Sequence, residues 1–496
     1  MQPYLLGVDI GTGSTKAIAV GFNGNIIHVA QRHYAAKTPQ PGYNEQDPEI
    51  ILAAFNDCIQ ESIEKCGHPP HAVSFSSAMH SVIPVDHNGK ALAAMMTWAD
   101  ARSESIAQNL RESAQAEGIY KTGGTPIHAM TPLCKIIWLK ANLPDVFNTA
   151  YKFIGIKEYI WFHLFNVFEV DYAIASATAL FDILKLQWND EACAIAGITA
   201  QKLSVPVDTV YKRSGLIPAA AGQLKLDNNV TFVMGASDGC CANLGSFVTG
   251  PGIGAITIGT SGAVRITSPR PVYNFEAMVF NYLLDKQTFV CGGAVNNGGI
   301  ALQWLLKTFL NTTALQTDDY ETAFKAIDGI KPGSDGLIFL PYLYGERAPI
   351  WDTKSCGVFF TIKPAHTRAH FLRAGLEGIC MALRDVLLTL EASSAPVVLI
   401  NISGGFIASA VWTQTLADIT GKKLVIAQHD DASAIGAVFL AMQALSIVLP
   451  VNIFGNNAPV IVTDADRHHT YQKYFDIYKR LYHDLKDTMH LSYSLD

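Results

Sequence analysis

Hydrophobic positions along the chain fall into short runs broken by turn residues, with longer helical repeats between them. Leu5–Asp9 is an apolar run that ends on a carboxylate, Gly11-Thr12-Gly13-Ser14 is turn chemistry, and Thr15–Val20 resumes a β-rich run. Asn23-Gly24 marks a hairpin before Asn25–Ala30. The chain therefore opens as an antiparallel meander. The same pattern returns as Ile253–Ile258, a turn at Gly259-Thr260-Ser261-Gly262, and a further run at Ala263–Thr267. Asp9-Ile10-Gly11-Thr12-Gly13-Ser14 and Thr257-Ile258-Gly259-Thr260-Ser261-Gly262 lie about half the chain apart. That offset points to two related domains, each opening with a hairpin.

Val73–Phe75 and Val397–Ile402 read as buried strands that lead into the small-residue stretches Ser76–Ser81 and Ser403–Ser409. Helical periodicity follows at Phe371–Leu390, Val411–Thr420 (stopped by Gly421) and Ala432–Leu445. Strands alternating with helices place the chain in the α/β class. The Gly-rich segment Gly235–Gly252 marks the boundary, giving domains 1–240 and 241–496. The tail Asp464–Asp496 reads as a terminal amphipathic helix, expected to pack back onto the first domain.

Composition narrows the function classes. The chain has 496 residues, 49% hydrophobic and only 16% charged, against about 25% charged in a typical soluble domain. Such a chain is too apolar for disorder and too long for one core. A net charge of −7 disfavours a nucleic-acid partner. The apolar stretch Ile160–Phe168 contains His163 and Asn166 and is far short of a membrane span. Met1–Asp9 has no basic region, so no signal peptide is expected. The nine cysteines include no C-x-x-C spacing and read as small buried hydrophobes in a reducing compartment. A large cytoplasmic enzyme, with neither membrane nor nucleic acid as partner, is the expectation.

Several segments carry chemistry. Asp9 followed by Thr12, Gly13, Ser14 and Lys16 joins a carboxylate that can hold hydrated Mg²⁺ to N–H and hydroxyl groups suited to an anion. Lys16 can reach a phosphate as a point charge. A plain hairpin with a polar tip is the structural alternative. The second turn at Thr260 raises the phosphate reading, since two such turns could face one polyphosphate. The Walker pattern is absent. Gly404-Gly405 with Ser409 follows a strand and precedes a helix, a place suited to a nucleotide or simply a strand–helix turn. Asp238, in Met234-Gly-Ala-Ser-Asp-Gly239, is either an N-cap or a general base for an attacking alcohol. Met79-His80 and Trp98-Ala-Asp100-Ala-Arg102 suit a polyhydroxylated ligand. Their structural alternatives are a satisfied core histidine and a bracing ion pair. Gly345-Glu346-Arg347-Ala-Pro349 is ambiguous in the same way.

Taken together these segments resemble the FGGY family of carbohydrate kinases, from Gly7 to about Leu445. Glu45-Gln-Asp-Pro48 and Gly235-Ala-Ser-Asp238-Gly add to the match. Ser74–Ser81, Thr97–Ser103, Gly124–His128, Ile154–Ile160 and Gly293–Gly299 are most similar to the bacterial gluconate kinase branch. Ser77-Ala78 stands where many members have Gly-Gln, which points away from the xylulose and glycerol branches. The resemblance implies two ribonuclease-H-like, actin-like ATPase domains flanking a deep cleft. It implies ATP and Mg²⁺ as cofactors and a sugar acid as substrate, with phosphorylation of D-gluconate to 6-phospho-D-gluconate. Asp238 matches the catalytic base and a substrate contact, and Asp9 the metal-associated carboxylate. Thr12, Gly13, Ser14, Lys16 and Thr260 match phosphate contacts. Gly299, Gly405 and Ser409 match nucleotide contacts, and Met79, His80 and Trp98 sugar contacts. His80, with N–H groups near Ser77–His80, is the expected partner of the substrate carboxylate, and Lys135 is a second candidate. A homodimer is common in such relatives, with no residue here pointing to it. The alternatives are a kinase for another polyol or ketose such as xylulose or ribulose, an actin-like or Hsp70-like ATPase, and a non-catalytic sugar-binding protein.

Overall fold

The computed structural model describes residues 2–427, 431–448, 458–493 and 495. Its frame is two twisted sheets. The first contains β1 (Tyr4–Ile10), β2 (Ser14–Gly21), β3 (Ile26–His33), β4 (Ala72–Ser77), β5 (Lys212–Arg213) and β6 (Thr231–Ser237), in the order β5-β6-β4-β1-β2-β3. The second contains β7 (Ile253–Ile258), β8 (Gly262–Ser268), β9 (Phe280–Asp285), β10 (Thr288–Val295), β11 (Leu399–Ser403), β12 (Lys423–Ile426) and β13 (Val460–Ile461). Its order is β9-β10-β8-β7-β11-β12-β13.

The half-chain repeat seen in the sequence is a repeat of topology. β1 pairs antiparallel with β2 and parallel with β4, and β7 pairs antiparallel with β8 and parallel with β11. β2 continues to β3 as β8 continues to β10. β4 is followed by parallel β6 and β11 by parallel β12. Among the parallel strands β4 is buried at all six positions, as expected where helices lie on both faces. Much of the apolar bias of the composition is spent here. All nine cysteines are free and seven are buried. Among the described residues, no helix is long and apolar enough to cross a membrane.

β6 carries a local irregularity that aims the residues after it. Gly235 has φ +69°, and a Cβ there would lie 1.8 Å from Phe75 O. The register with β4 shifts between Val233 and Ala236. Only glycine fits, and the bulge redirects the strand end that leads into Asp238. The expected division at 240/241 falls inside the helix Asp238–Gly245.

The terminal helix corrects an expectation. Ala465–Tyr493 packs on the second half of the chain, against the helix Ala410–Thr420 and the strand Ile338–Pro341, not on the first domain. Its buried face is rich in tyrosine, whose hydroxyls need partners. Those partners belong to the second half: Tyr471 OH donates to Glu377 Oε1 at 2.7 Å, and Tyr482 OH donates to Asp352 Oδ2 at 2.9 Å. The element that returns to the first sheet is instead Ala432–Leu445, whose Ala434, Val438 and Ala441 pack with Leu5, Ile18 and Val233. Small side chains let it approach closely.

Candidate active site

The candidate phosphate turns occupy equivalent places, between β1 and β2 and between β7 and β8. In the first, Gly11 N–H donates to Ser14 O at 2.9 Å and Tyr34 OH donates to Gly11 O at 2.6 Å. Gln46 Nε2 donates to Thr12 O at 2.6 Å, and Trp98 Nε1 donates to Thr12 Oγ1 at 2.9 Å. Gln31 Nε2 donates to Ser14 Oγ at 2.9 Å. Gly13 is exposed at the tip. Lys16 does not point freely at an anion: its Nζ is paired with Asp431, at the start of the returning helix. In the second turn, Gly259 N–H donates to Ser261 O at 2.9 Å. Gly299 N–H donates to Gly259 O at 2.8 Å, and Ile300 N–H to Thr260 O at 3.1 Å. The N-terminus of the helix Gly299–Leu310 thus holds that turn.

A third element adjoins it. Gly404 has φ +107°, and a Cβ there would lie 2.2 Å from Ile258 O. Gly405 opens a single 3₁₀ turn, Gly405–Ala408, with no neighbour within 4 Å of a Cβ position. Ser409 is the N-cap of Ala410–Thr420, its hydroxyl accepting from Trp412 N–H at 3.3 Å. The helix N-terminus expected at Gly404-Gly405 is therefore at Ser409.

Two carboxylates stand at the ends of β1 and β6, the two strands that flank β4. Asp9 pairs in register with Ser76, whose hydroxyl donates to Asp9 Oδ1 at 2.7 Å. Desolvation and then the negative charge of Asp238 push Asp9 up to about 6, against the pull of the Ser76 hydroxyl and Lys16. Asp238 begins the helix after β6, and Gly239 N–H donates to its Oδ1 at 2.7 Å. The N-cap is Ser237, so Asp238 is free of the capping role considered from sequence. Desolvation raises its pKa while Gly239 N–H and Arg265 oppose the rise.

Asp238 opens into a pocket of about 250 Å³ with Met79, His80, Trp98, Tyr282 and Arg347 in its walls. Phe280 and Arg265 line it from the second sheet, so both sheets contribute. A larger groove of about 540 Å³ lies at the far ends of β7 and β8, where Arg270 is its sole ionisable lining residue. It has no groups for acid–base work.

His80 is well defined. Its backbone lies in the left-handed region at φ +66°, its Nδ1 bonds Ala177 O at 2.8 Å, and its Nε2 lies 3.3 Å from Tyr282 OH. A carbonyl only accepts, so Nδ1 carries the proton and Nε2 is the acceptor. Burial and then Lys135 push its pKa down to about 3. A neutral acceptor is unsuited to a carboxylate, which corrects that expectation. Lys135 is excluded too. It is fully buried, and its Nζ donates to His80 O and Thr97 O at 2.6 Å and to Met130 O at 2.8 Å. All three donors are used. Burial pushes its pKa down to about 7.

Asp100 and Arg102 form a closed brace. Arg102 donates to both Asp100 oxygens and to Glu45, and lies over Tyr43. Only Trp98 of that motif reaches the pocket. Glu346 is likewise a brace, accepting from Asn297 Nδ2 at 3.0 Å and Arg347 N–H at 2.9 Å. Arg347 lines the pocket, as do Arg265, Phe280 and Tyr282, which sequence reasoning passed over. Alternation along β8 from Ala263 is the signal that puts Arg265 on the pocket face.

Behind Asp238 lies a buried ion pair. Lys157 Nζ donates to Asp171 Oδ2 at 2.8 Å and to Ala236 O at 2.9 Å. Both side chains are at most 1% exposed. Removing one partner leaves a buried charge, so Lys157→Met is expected to destabilise the fold by about 3–5 kcal/mol. Chemical denaturation checks this, and a change below about 1 kcal/mol would contradict it.

Comparison with known proteins matches this geometry to one family. The model for the FGGY family of carbohydrate kinases, N-terminal domain, matches residues 4–245, and that for the C-terminal domain matches residues 254–445. The chain belongs to the FGGY family of carbohydrate kinases. It is a carbohydrate kinase with the two-domain fold of that family. It is 41% identical to a gluconokinase of Bacillus subtilis over 453 residues, 90% of this chain and 88% of the relative. It is 29% identical to a xylulose kinase of Lactococcus lactis over 508 residues, covering 99% and 98%. A crystal structure of gluconate kinase from Lactobacillus acidophilus superposes with a TM-score of 0.92 at 32% identity over 98% of both chains.

Proposed function

We propose that the enzyme transfers the γ-phosphoryl group of ATP to the terminal hydroxyl of D-gluconate, giving 6-phospho-D-gluconate. The observation that carries the reading is Asp238 in a two-walled pocket of aromatic and apolar side chains with a few charged groups, beside a second carboxylate and two Gly/Thr turns. The choice of gluconate is supported by the gluconokinase relatives. A ketose such as xylulose is the second reading, favoured by the xylulose kinases that match nearly the whole chain. A coupled assay across gluconate, xylulose, ribulose and glycerol tests it: kcat/KM is expected to be highest for gluconate by at least about tenfold. A higher value for any of the others overturns the substrate.

In this mechanism Asp238 accepts the proton of the attacking hydroxyl, and its raised pKa suits that task. Thr12, Gly13, Ser14 and Thr260 offer hydroxyl and N–H groups to the phosphates. Lys16 lies beside the first turn, and exchanging Asp431 for a phosphate oxygen would bring its charge to the nucleotide. Gly299 secures the second turn, and Gly405 leaves room for a nucleotide. Ser409 fixes the helix beside it. His80 meets the sugar as a neutral ring whose Nε2 lies 3.3 Å from Tyr282 OH, and Trp98 and Met79 pack on the carbon chain. Closure of the pocket excludes water and limits hydrolysis of ATP. The reading places the reaction in the cytoplasm.

Among the described residues no group of three or more His, Cys, Asp or Glu can hold a metal alone. Mg²⁺ does not need one, because it keeps waters and takes one or two carboxylates with substrate phosphates. Asp9, whose ionised form is disfavoured by Asp238, fits such a cation. The cation supplies charge neutralisation on the transferring group. With the carboxyl of Asp9 at about 6 in the free enzyme, a proton competes for the site below that pH. KM for MgATP is expected to rise towards about tenfold per pH unit below 6 and to be flat above 7. Initial rates from pH 5 to 8 check this, and a flat profile contradicts it.

A further inference from the structure

The pocket contains more positive charge than its own residues neutralise. Among the described residues, neither Arg265 nor Arg347 forms an ion pair, and Asp238 is the one carboxylate in the pocket wall. His80 is neutral and Lys135 is spent on three carbonyls. Arg347 is partly spent as well, donating from Nε to Asn296 Oδ1 at 2.7 Å and from Nη2 to Val295 O at 3.3 Å. Arg265 makes one long hydrogen bond, from Nη1 to Thr257 Oγ1 at 3.4 Å. It lines the cavity, where the charge of Asp238 acts on it without a hydrogen-bonded ion pair between them. A Cβ on Gly239 would lie 3.8 Å from Arg265 Nε and 3.2 Å from Met79 Cε, and glycine leaves that space open. A desolvated guanidinium with free donors is costly unless an acceptor joins it. Its planar fork matches a carboxylate in two parallel bonds.

We infer that Arg265 selects a sugar acid over a neutral polyol by binding the carboxylate of the substrate. This rests on the gluconate reading and adds the residue that enforces it. Asp238 then receives the terminal hydroxyl while Arg265 holds the acid group, so the substrate lies in one orientation. Arg347 adds field at the Tyr282 side of the pocket.

The test is calorimetric titration of the intact enzyme with D-gluconate and with D-glucitol, which has the same carbon chain with a hydroxymethyl in place of the carboxylate. Wild type, Arg265→Met and Arg265→Lys are compared, with ATP affinity as a check on folding. Arg265→Met is expected to weaken gluconate by about 10- to 100-fold, the range for a charge-assisted hydrogen bond. Glucitol should change by less than about threefold, and Arg265→Lys should recover part of the gluconate loss. Equal weakening of both ligands, or unchanged gluconate affinity, overturns the role of Arg265. So does a variant that binds gluconate normally but loses kcat, which would assign Arg265 to the phosphoryl group. A wild-type enzyme that phosphorylates a ketose and neither binds nor phosphorylates gluconate overturns the substrate reading instead.

Discussion

Asp238→Asn is expected to lower kcat by about 10²- to 10⁴-fold with ATP affinity unchanged, the usual contribution of a positioned general base. The amide keeps the shape and still accepts from Gly239 N–H, which bonds Asp238 Oδ1 at 2.7 Å. The helix start is unaffected because Ser237 is the N-cap. What is lost is the acceptor for the proton of the attacking hydroxyl. The charge that raises Asp9 is lost with it, so metal binding should strengthen at low pH. A folded variant with kcat reduced less than about tenfold would remove Asp238 from the role of base.

The second large effect is expected at Lys135, which touches no substrate. Its ammonium ties His80, Thr97 and Met130 together. Lys135→Met takes the Nζ donor from the His80 and Met130 carbonyls, each loss costing about 1–3 kcal/mol, while Thr97 O keeps the Asp100 N–H at 3.2 Å. It also frees His80 from one of the bonds that hold its φ of +66°. The expected result is a destabilisation of at least about 2 kcal/mol and a sugar KM raised at least about tenfold. The KM for ATP should hold, since the turns at Thr12 and Thr260 are fixed by other bonds. Denaturation together with both KM values checks this. A parallel rise in both KM values would show general loosening instead of a positioning role.

Much of the fold was legible because it is written twice. The Gly/Thr turns at Gly11 and Gly259, with their flanking β runs, gave the repeat that the two sheets embody. The destination of the terminal helix was not legible. Amphipathic periodicity shows that a face is buried but not against what, and only the hydroxyl partners of Tyr471 and Tyr482 decide it. The same limit applies to charge. Lys135, Arg265 and Arg347 are all cations near a proposed sugar site, and sequence cannot count their free donors. In the structure one is saturated by carbonyls, one is partly used and one is largely open. Glu346 and Asp100 looked as functional as Asp9, yet both are turned into braces. Asp9 is legible as a carboxylate at a strand end before a Gly-rich turn, whereas for Asp238 position leaves N-cap and base open and the family resemblance alone points to the base.

The most direct test of the central claim is ³¹P NMR of the purified enzyme with MgATP and D-gluconate. The predicted result is a phosphomonoester signal coupled to the two protons of C6, formed in step with ADP. ADP and inorganic phosphate without that ester, or an ester formed from a ketose while gluconate stays unreacted, would contradict it.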